Sequence, residues 1–112
     1  MFSNNHRLAK TKDIQHVFAR GRGFFNSYLT VKVVRPAPQF RCTVVVSTKV
    51  SKQAVARNRI KRILREQMRL QIPKLLPGDY AIIVKPAAIK IEPSVLRAKL
   101  QELLINSKSL KA

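Results

Sequence analysis

The chain has 112 residues, of which 46% are hydrophobic, and its 23 Lys and Arg against 5 Asp and Glu give a formal net charge of +18. That length fits one domain with a modest core, and the apolar fraction excludes a disordered polyelectrolyte. A compact fold with so much like charge repels itself, so the excess points to a polyanion; nucleic acid is favoured over an anionic membrane, because no amphipathic terminal segment stands out.

Residues 1–10 are polar and basic and read as a loose leader to a single domain spanning 1–112. Thr11 suits a helix N-cap and Asp13 its first turn; Ile14, Val17 and Phe18 follow at helical spacing, and Gly21 is a natural stop. A short helix is therefore expected over 11–20, followed by a turn at Gly21-Arg22-Gly23. From Tyr28 to Val34 the pattern alternates, with Leu29, Val31 and Val33 on one face and Tyr28, Thr30 and Lys32 on the other. Arg35-Pro36-Ala37-Pro38 ends that strand. A second runs from Phe40 to Ser47, with Phe40, Cys42, Val44 and Val46 on one side. The short connection predicts an antiparallel hairpin. A helix is expected over 53–71, a turn at Pro77-Gly78, and a doubly buried strand at Tyr80 to Val84. Pro93-Ser94 opens a last helix, in which Leu96, Leu100, Leu103 and Leu104 repeat along one face. This order predicts an α+β domain, a two-layer sandwich of one sheet and its helices; the strand near 40–47, the next helix and the strand near 80–84 suit a crossover unit.

The helix over 54–70 divides by type. Ala56, Ile60, Ile63, Leu64 and Leu70 fall in one broad apolar arc. Asn58, Lys61, Arg62, Arg65 and Arg69 fall opposite, with Arg57 and Arg59 flanking them. A charged helix face is ordinarily just solvated. Here Glu66 is the sole acid among the basic residues of this stretch, and like charges one turn apart destabilise an isolated helix by roughly 0.2–0.5 kcal/mol per pair. A helix shaped only for stability would mix in glutamates, so the stripe reads as an RNA contact. Arginine forks grip phosphate oxygens and stack on bases. Asn58 either bonds a phosphate, a 2′-hydroxyl or a base edge, or orients its arginine neighbours.

Catalytic chemistry is poorly represented. Asp13, Glu66, Asp79, Glu92 and Glu102 are scattered, with no pair spaced to hold magnesium. Cys42 is the single cysteine and sits in an apolar run, so it reads as a small core residue, and no internal disulfide can form. His6 and His16 have no partner at metal-site spacing and read as exposed and uncommitted. Phe24, Phe25 and Tyr28 fit edge packing and RNA contact equally. With no secretory h-region and no apolar run of membrane-spanning length, a cytoplasmic location is expected.

Arg57-Asn58-Arg59, Lys61-Arg62 and Arg65, on a helix led in by Val46-Ser47-Thr48-Lys49, resemble the signature of the protein subunit of bacterial ribonuclease P. Leu8 to Gly21 resembles that family's first helix, and Asp79 to Lys85 its last strand. The resemblance implies a mixed sheet of about four strands with three helices. It also implies a left-handed βαβ crossover around the basic helix, a rarity when such connections are right-handed in about 98% of cases. It implies an endoribonuclease that removes the 5′ leader of precursor tRNA. Catalysis would rest with the RNA subunit and its Mg2+, with no catalytic residue, metal or cofactor in this chain and no obligate protein partner. The basic helix, with Lys49 and Lys52 in its lead-in, would meet the catalytic RNA. A cleft formed by Ile14, Phe18, Thr30 and Lys32 would hold the leader, with Phe18 as the base-stacking aromatic. By its residues alone Phe18 fits a core position at least as well. Some members carry aromatics where Ile14 and Lys32 stand, a lysine at Thr48, and a glycine in the linker occupied by Ser51-Lys52-Gln53. The rival readings are a ribosomal or other structural RNA-binding protein, and a DNA binder with the basic helix in the major groove.

Overall fold

The structure, a computed structural model, describes residues 6–111. The elements follow in the order α1 (Thr11–Arg20), β1 (Arg22–Phe25), β2 (Leu29–Val34), β3 (Arg41–Val45), α2 (Ala54–Gln71), β4 (Asp79–Val84) and α3 (Pro93–Asn106), with short 3-10 turns at Ile72–Lys74 and Pro86–Lys90. Three helices and a four-stranded mixed sheet form an α+β domain, as expected.

The strands lie in the order β1-β2-β4-β3. β4 is antiparallel to β2 and parallel to β3. The expected β2–β3 hairpin is thus replaced by a link that steps over β4. The reason lies in β4 itself: Tyr80, Ala81 and Ile82 have no exposed surface, and a strand apolar on both faces needs a layer over each, which it finds mid-sheet, where Tyr80 and Ile82 meet α2 and α3 and Ala81 meets α1. β3, α2 and β4 form the anticipated parallel crossover unit.

Alternation along the strands sorts two faces. Leu29, Val31 and Val33 of β2, Cys42 and Val44 of β3, and Tyr80, Ile82 and Val84 of β4 join Ile60, Leu64 and Met68 of α2 and the four leucines Leu96, Leu100, Leu103 and Leu104 of α3 in the main core. Val34 and Ala81 point the other way and meet Leu8, Ile14, Val17 and Phe18. α2 and α3 therefore share one layer, while α1 lies across part of the opposite face.

Several local readings change. Gly21-Arg22-Gly23 is not a free turn: Arg22 begins edge strand β1, paired antiparallel with β2. Gly21 does not end α1 through a left-handed conformation, since its φ is −68°. It is needed for close approach, because a Cβ there would collide with the Val17 carbonyl and sit 3.3 Å from Lys32 Cβ. The expected Thr11 cap is instead the first helical residue, with Lys10 in the cap position. On α2, Met68 belongs to the buried arc, whereas Leu70 is 65% exposed. Leu70 lies six residues past Leu64, about 120° around the helix from the centre of that arc.

Of the expected loose segment over 1–10, residues 1–5 lie outside the described residues, and residues 6–10 are tied down. The Leu8 side chain is buried and its amide donates to the Cys42 carbonyl at 3.0 Å. His6 is half-buried, and its Nδ1 donates to the Phe40 carbonyl at 3.0 Å, so it is not uncommitted. His16 is exposed, as read.

Cys42 is a core residue, 1% exposed. Burial in apolar surroundings pushes its thiol pKa up, partly opposed by the positive charge of Arg65. The thiolate, the reactive form, is then scarce at any ordinary pH. A maleimide at neutral pH is expected to leave the native chain unlabelled and to label one site per chain after denaturation. Rapid native labelling would contradict this burial.

Candidate nucleic-acid interface

The cations of α2 do not form one surface. Asn58, Arg59, Arg62 and Arg69 are exposed along the outer side of the helix. Lys61 and Arg65 are half-buried on its flank. That flank faces Arg7, Ile14 of α1 and the outer edge of β3 at Cys42, Thr43 and Val44, and together these residues line a groove of about 310 Å³. The division follows from helical geometry. Lys61 and Arg65 are each one residue from a buried anchor, Ile60 and Leu64, so their stems lie along the protein while their charged ends reach water.

Arg57 takes a third role. It is half-buried, and its Nη1 donates to the Ser51 carbonyl at 2.9 Å, bracing the loop that leads into the helix. Within that loop Ser47 Oγ accepts from the Lys49 amide at 3.3 Å, and Ser51 Oγ accepts from the Gln53 amide at 3.1 Å. Lys49 and Lys52 are left exposed just ahead of α2. The first turn of α2 has no acid, so the positive end of its dipole adds to those two charges.

Of the four expected cleft residues, Ile14, Phe18 and Lys32 meet where α1 crosses the sheet, and Thr30 lies on the same sheet face one row further along. Ile14 and Phe18 lie half-buried on the inner side of α1, packed with Val17, Val34 and Ala81. Lys32 Nζ donates to the Phe18 carbonyl at 2.8 Å, so this lysine ties the end of α1 to β2. Phe18 is both a packing residue and part of an accessible wall. The register shows what else shares this face. Gly23, Lys32, Ala81 and Thr43 form one row across the sheet, and Phe25, Thr30, Ile83 and Val45 form the next. α1 covers Ala81 but not the second row. Ile83 is accordingly the one residue of β4 that is not fully buried. Sequence reasoning placed Thr30 and Lys32 here, left Phe25 open between edge packing and RNA contact, and missed Thr43, Val45 and Ile83. Their common face depends on a strand order that the chain order conceals.

An ion cluster ties α1 to the sheet. Arg41 of β3 donates through Nε and Nη2 to both carboxylate oxygens of Asp79, each at 2.8 Å, and through Nη1 to Asp13 of α1 at 3.2 Å. The Asp79 hydrogen bonds, with the field of both carboxylates, hold the Arg41 pKa above its ordinary value despite partial burial. Two of the scattered acids are thereby committed to architecture. Among the described residues, no three His, Cys, Asp or Glu side chains converge as metal ligands, and no helix is long and apolar enough to cross a membrane.

The sequence profile of the Ribonuclease P family matches residues 2–108. The chain belongs to the ribonuclease P protein family. It is 35% identical to the ribonuclease P protein component of an Exiguobacterium species, over 92% of this chain and 90% of that one. It is also 35% identical to the component from Xylella fastidiosa, over 92% of this chain and 76% of the other. The RNase P protein of Staphylococcus aureus superposes with a TM-score of 0.89 at 26% identity, covering 95% and 98% of the two chains. That of Thermotoga maritima gives 0.80 at 25% identity, covering 90% and 96%. Family membership places the chain in ribonuclease P activity and tRNA processing, and sets aside the ribosomal-protein and DNA-binding readings.

Proposed function

We propose that the outer ridge of α2, with Lys49 and Lys52, docks on the catalytic RNA of ribonuclease P, while the groove at Lys61 and Arg65 and the open sheet face hold the single-stranded 5′ leader of precursor tRNA. The observation that carries this is the splitting of the α2 cations into an outward set, Arg59, Arg62 and Arg69 beside the neutral Asn58, and an inward set that meets α1 and β3. A duplex or folded RNA presents phosphates to a convex ridge, whereas a single strand fits a groove floored by a sheet and walled by an aromatic. Arg57 contributes mainly by holding the lead-in loop in place.

The chemistry belongs to the RNA on this reading. Asp13 and Asp79 are occupied by Arg41, and Glu102 lies 3.5 Å from Lys99. Glu66 and Glu92 are far apart in the chain, so the magnesium needed for phosphodiester hydrolysis would be held by the RNA. The protein acts by neutralising phosphate charge and fixing the leader, in the cytoplasm where tRNA is processed. Adding the chain to the catalytic RNA is expected to lower the magnesium concentration required for cleavage of precursor tRNA. An unchanged magnesium requirement would overturn the proposal.

A further inference from the structure

The three aromatics of the β1–β2 hairpin carry the inference. Each has a cation over its ring: Arg22 at 5.5 Å from Phe24, Lys85 at 4.9 Å from Phe25 and Lys99 at 6.0 Å from Tyr28. Their fates differ. Phe24 and Tyr28 are half-buried and pack against the main core. Phe25 is 74% exposed, and its pairing with Thr30 turns it onto the opposite face, the one α1 leaves open. It does no core work there. The ring is nevertheless held, because Lys85 Nζ is itself anchored by donating to the Asn26 carbonyl at 2.7 Å. The Asn26 side chain in turn bonds the Lys99 carbonyl at 3.1 Å and accepts from the Tyr28 and Leu29 amides at 3.0 Å. A fixed ammonium on one side of the ring leaves the other side free for a planar partner.

We propose that Phe25 is a stacking platform for an unpaired base of the precursor-tRNA leader, with Lys85 beside it to meet a phosphate. The assignment rests on the reading of the open sheet face as the leader site, and extends that site to the far rim of the sheet. Phe25 stands at one end of the row that runs through Thr30 and Ile83 to Val45, next to the basic groove. At about 4.8 Å per strand, this row is roughly 14 Å long. A leader entering at Lys61 and Arg65 must cross the sheet before it reaches Phe25. Four-stranded sheets that display an aromatic and a few polar groups on an uncovered face are a recurrent platform for single-stranded RNA, and every base has a face to stack. Phe25 therefore acts as a positioning residue that rewards leader length with little regard to leader sequence.

The test uses the reconstituted holoenzyme and two precursors, one with a single-nucleotide leader and one with a long unstructured leader. In the unsubstituted enzyme, the long leader should bind more tightly than the short one. Phe25→Ala should weaken binding of the long-leader precursor by roughly fivefold to a hundredfold, the usual range for losing one base–aromatic stack, and leave the short-leader precursor unchanged. Phe25→Tyr should restore the difference. Because the chain has no tryptophan, Phe25→Trp supplies a single emission that the long-leader precursor should quench and the short one should not. If the unsubstituted enzyme gains nothing from the longer leader, the leader-site reading itself falls. If that gain exists and Phe25→Ala keeps all of it, only the role of Phe25 falls.

Discussion

Replacing Arg62 and Arg69 together by glutamate is expected to weaken assembly with the catalytic RNA by at least a hundredfold at moderate salt. Both side chains are exposed on the outer ridge of α2, so neither supports the fold. Each hydrogen bond to a charged group contributes about 1.5–3 kcal/mol, and glutamate adds repulsion to the loss. The salt dependence is more diagnostic than the affinity. Each neutralised phosphate contributes about 0.9 to the slope of log K against log salt for a duplex, so the slope should fall by roughly two. Thermal stability should barely move, since exposed substitutions away from special features stay within about 0.5 kcal/mol. Arg65 is best left out of this variant, because it lies on the groove side. Lys61→Ala with Arg65→Ala, or Phe18→Ala, should instead lower affinity for the leader and spare assembly. An unchanged salt slope in the Arg62 and Arg69 variant would show that the ridge is not the docking face.

The local level of this fold is readable in the chain. The alternation at Leu29, Val31 and Val33 gives β2, and the leucine spacing gives α3, because each depends only on its own segment. The failures are nonlocal. Phe40 to Ser47 follows β2 so closely that a hairpin is the economical reading, and β4 enters between them only after a helix has intervened. One sign of this was available: Tyr80-Ala81-Ile82 is apolar throughout, and such a strand asks for neighbours on both sides. β1 was illegible for a different reason. It is a four-residue edge strand, Arg22–Phe25, with three exposed residues and a glycine, so it is too short for alternation to reveal it, and the strand propensity of its two phenylalanines is offset by Gly23. The site divides in the same way. The stripe on α2 follows from periodicity alone, but its separation into ridge and groove requires α1 and β3 beside Lys61 and Arg65. The faces taken by Phe24 and Phe25 were equally hidden until their pairing with Val31 and Thr30 fixed them.

Arg41→Met is expected to be the most damaging single substitution of a charged residue in the fold. Asp79 is only 7% exposed, and both of its oxygens accept from the Arg41 guanidinium. Removing one partner of a buried pair leaves the other charge uncompensated, which costs about 3–5 kcal/mol when both are deeply buried. The Arg41 side chain is 31% exposed, so water can reach the gap, and a loss of about 2–3 kcal/mol is expected after that discount. Against a typical stability of about 5–15 kcal/mol for a whole domain, this is a large share. Denaturation in urea measures it, and pairing Arg41→Met with Asp79→Leu should recover much of the loss, because no buried carboxylate is then orphaned; Asp13, which also loses its partner, is 33% exposed and stays solvated. Asp13→Asn should cost far less, since that side chain is 33% exposed and its bond is the longer one at 3.2 Å. It should still loosen α1 over the open sheet face. Its signature is therefore functional: weaker binding of long-leader precursors with near-normal assembly. An Asp13→Asn enzyme with full leader affinity would mean that apolar packing around Val17 alone sets the position of α1.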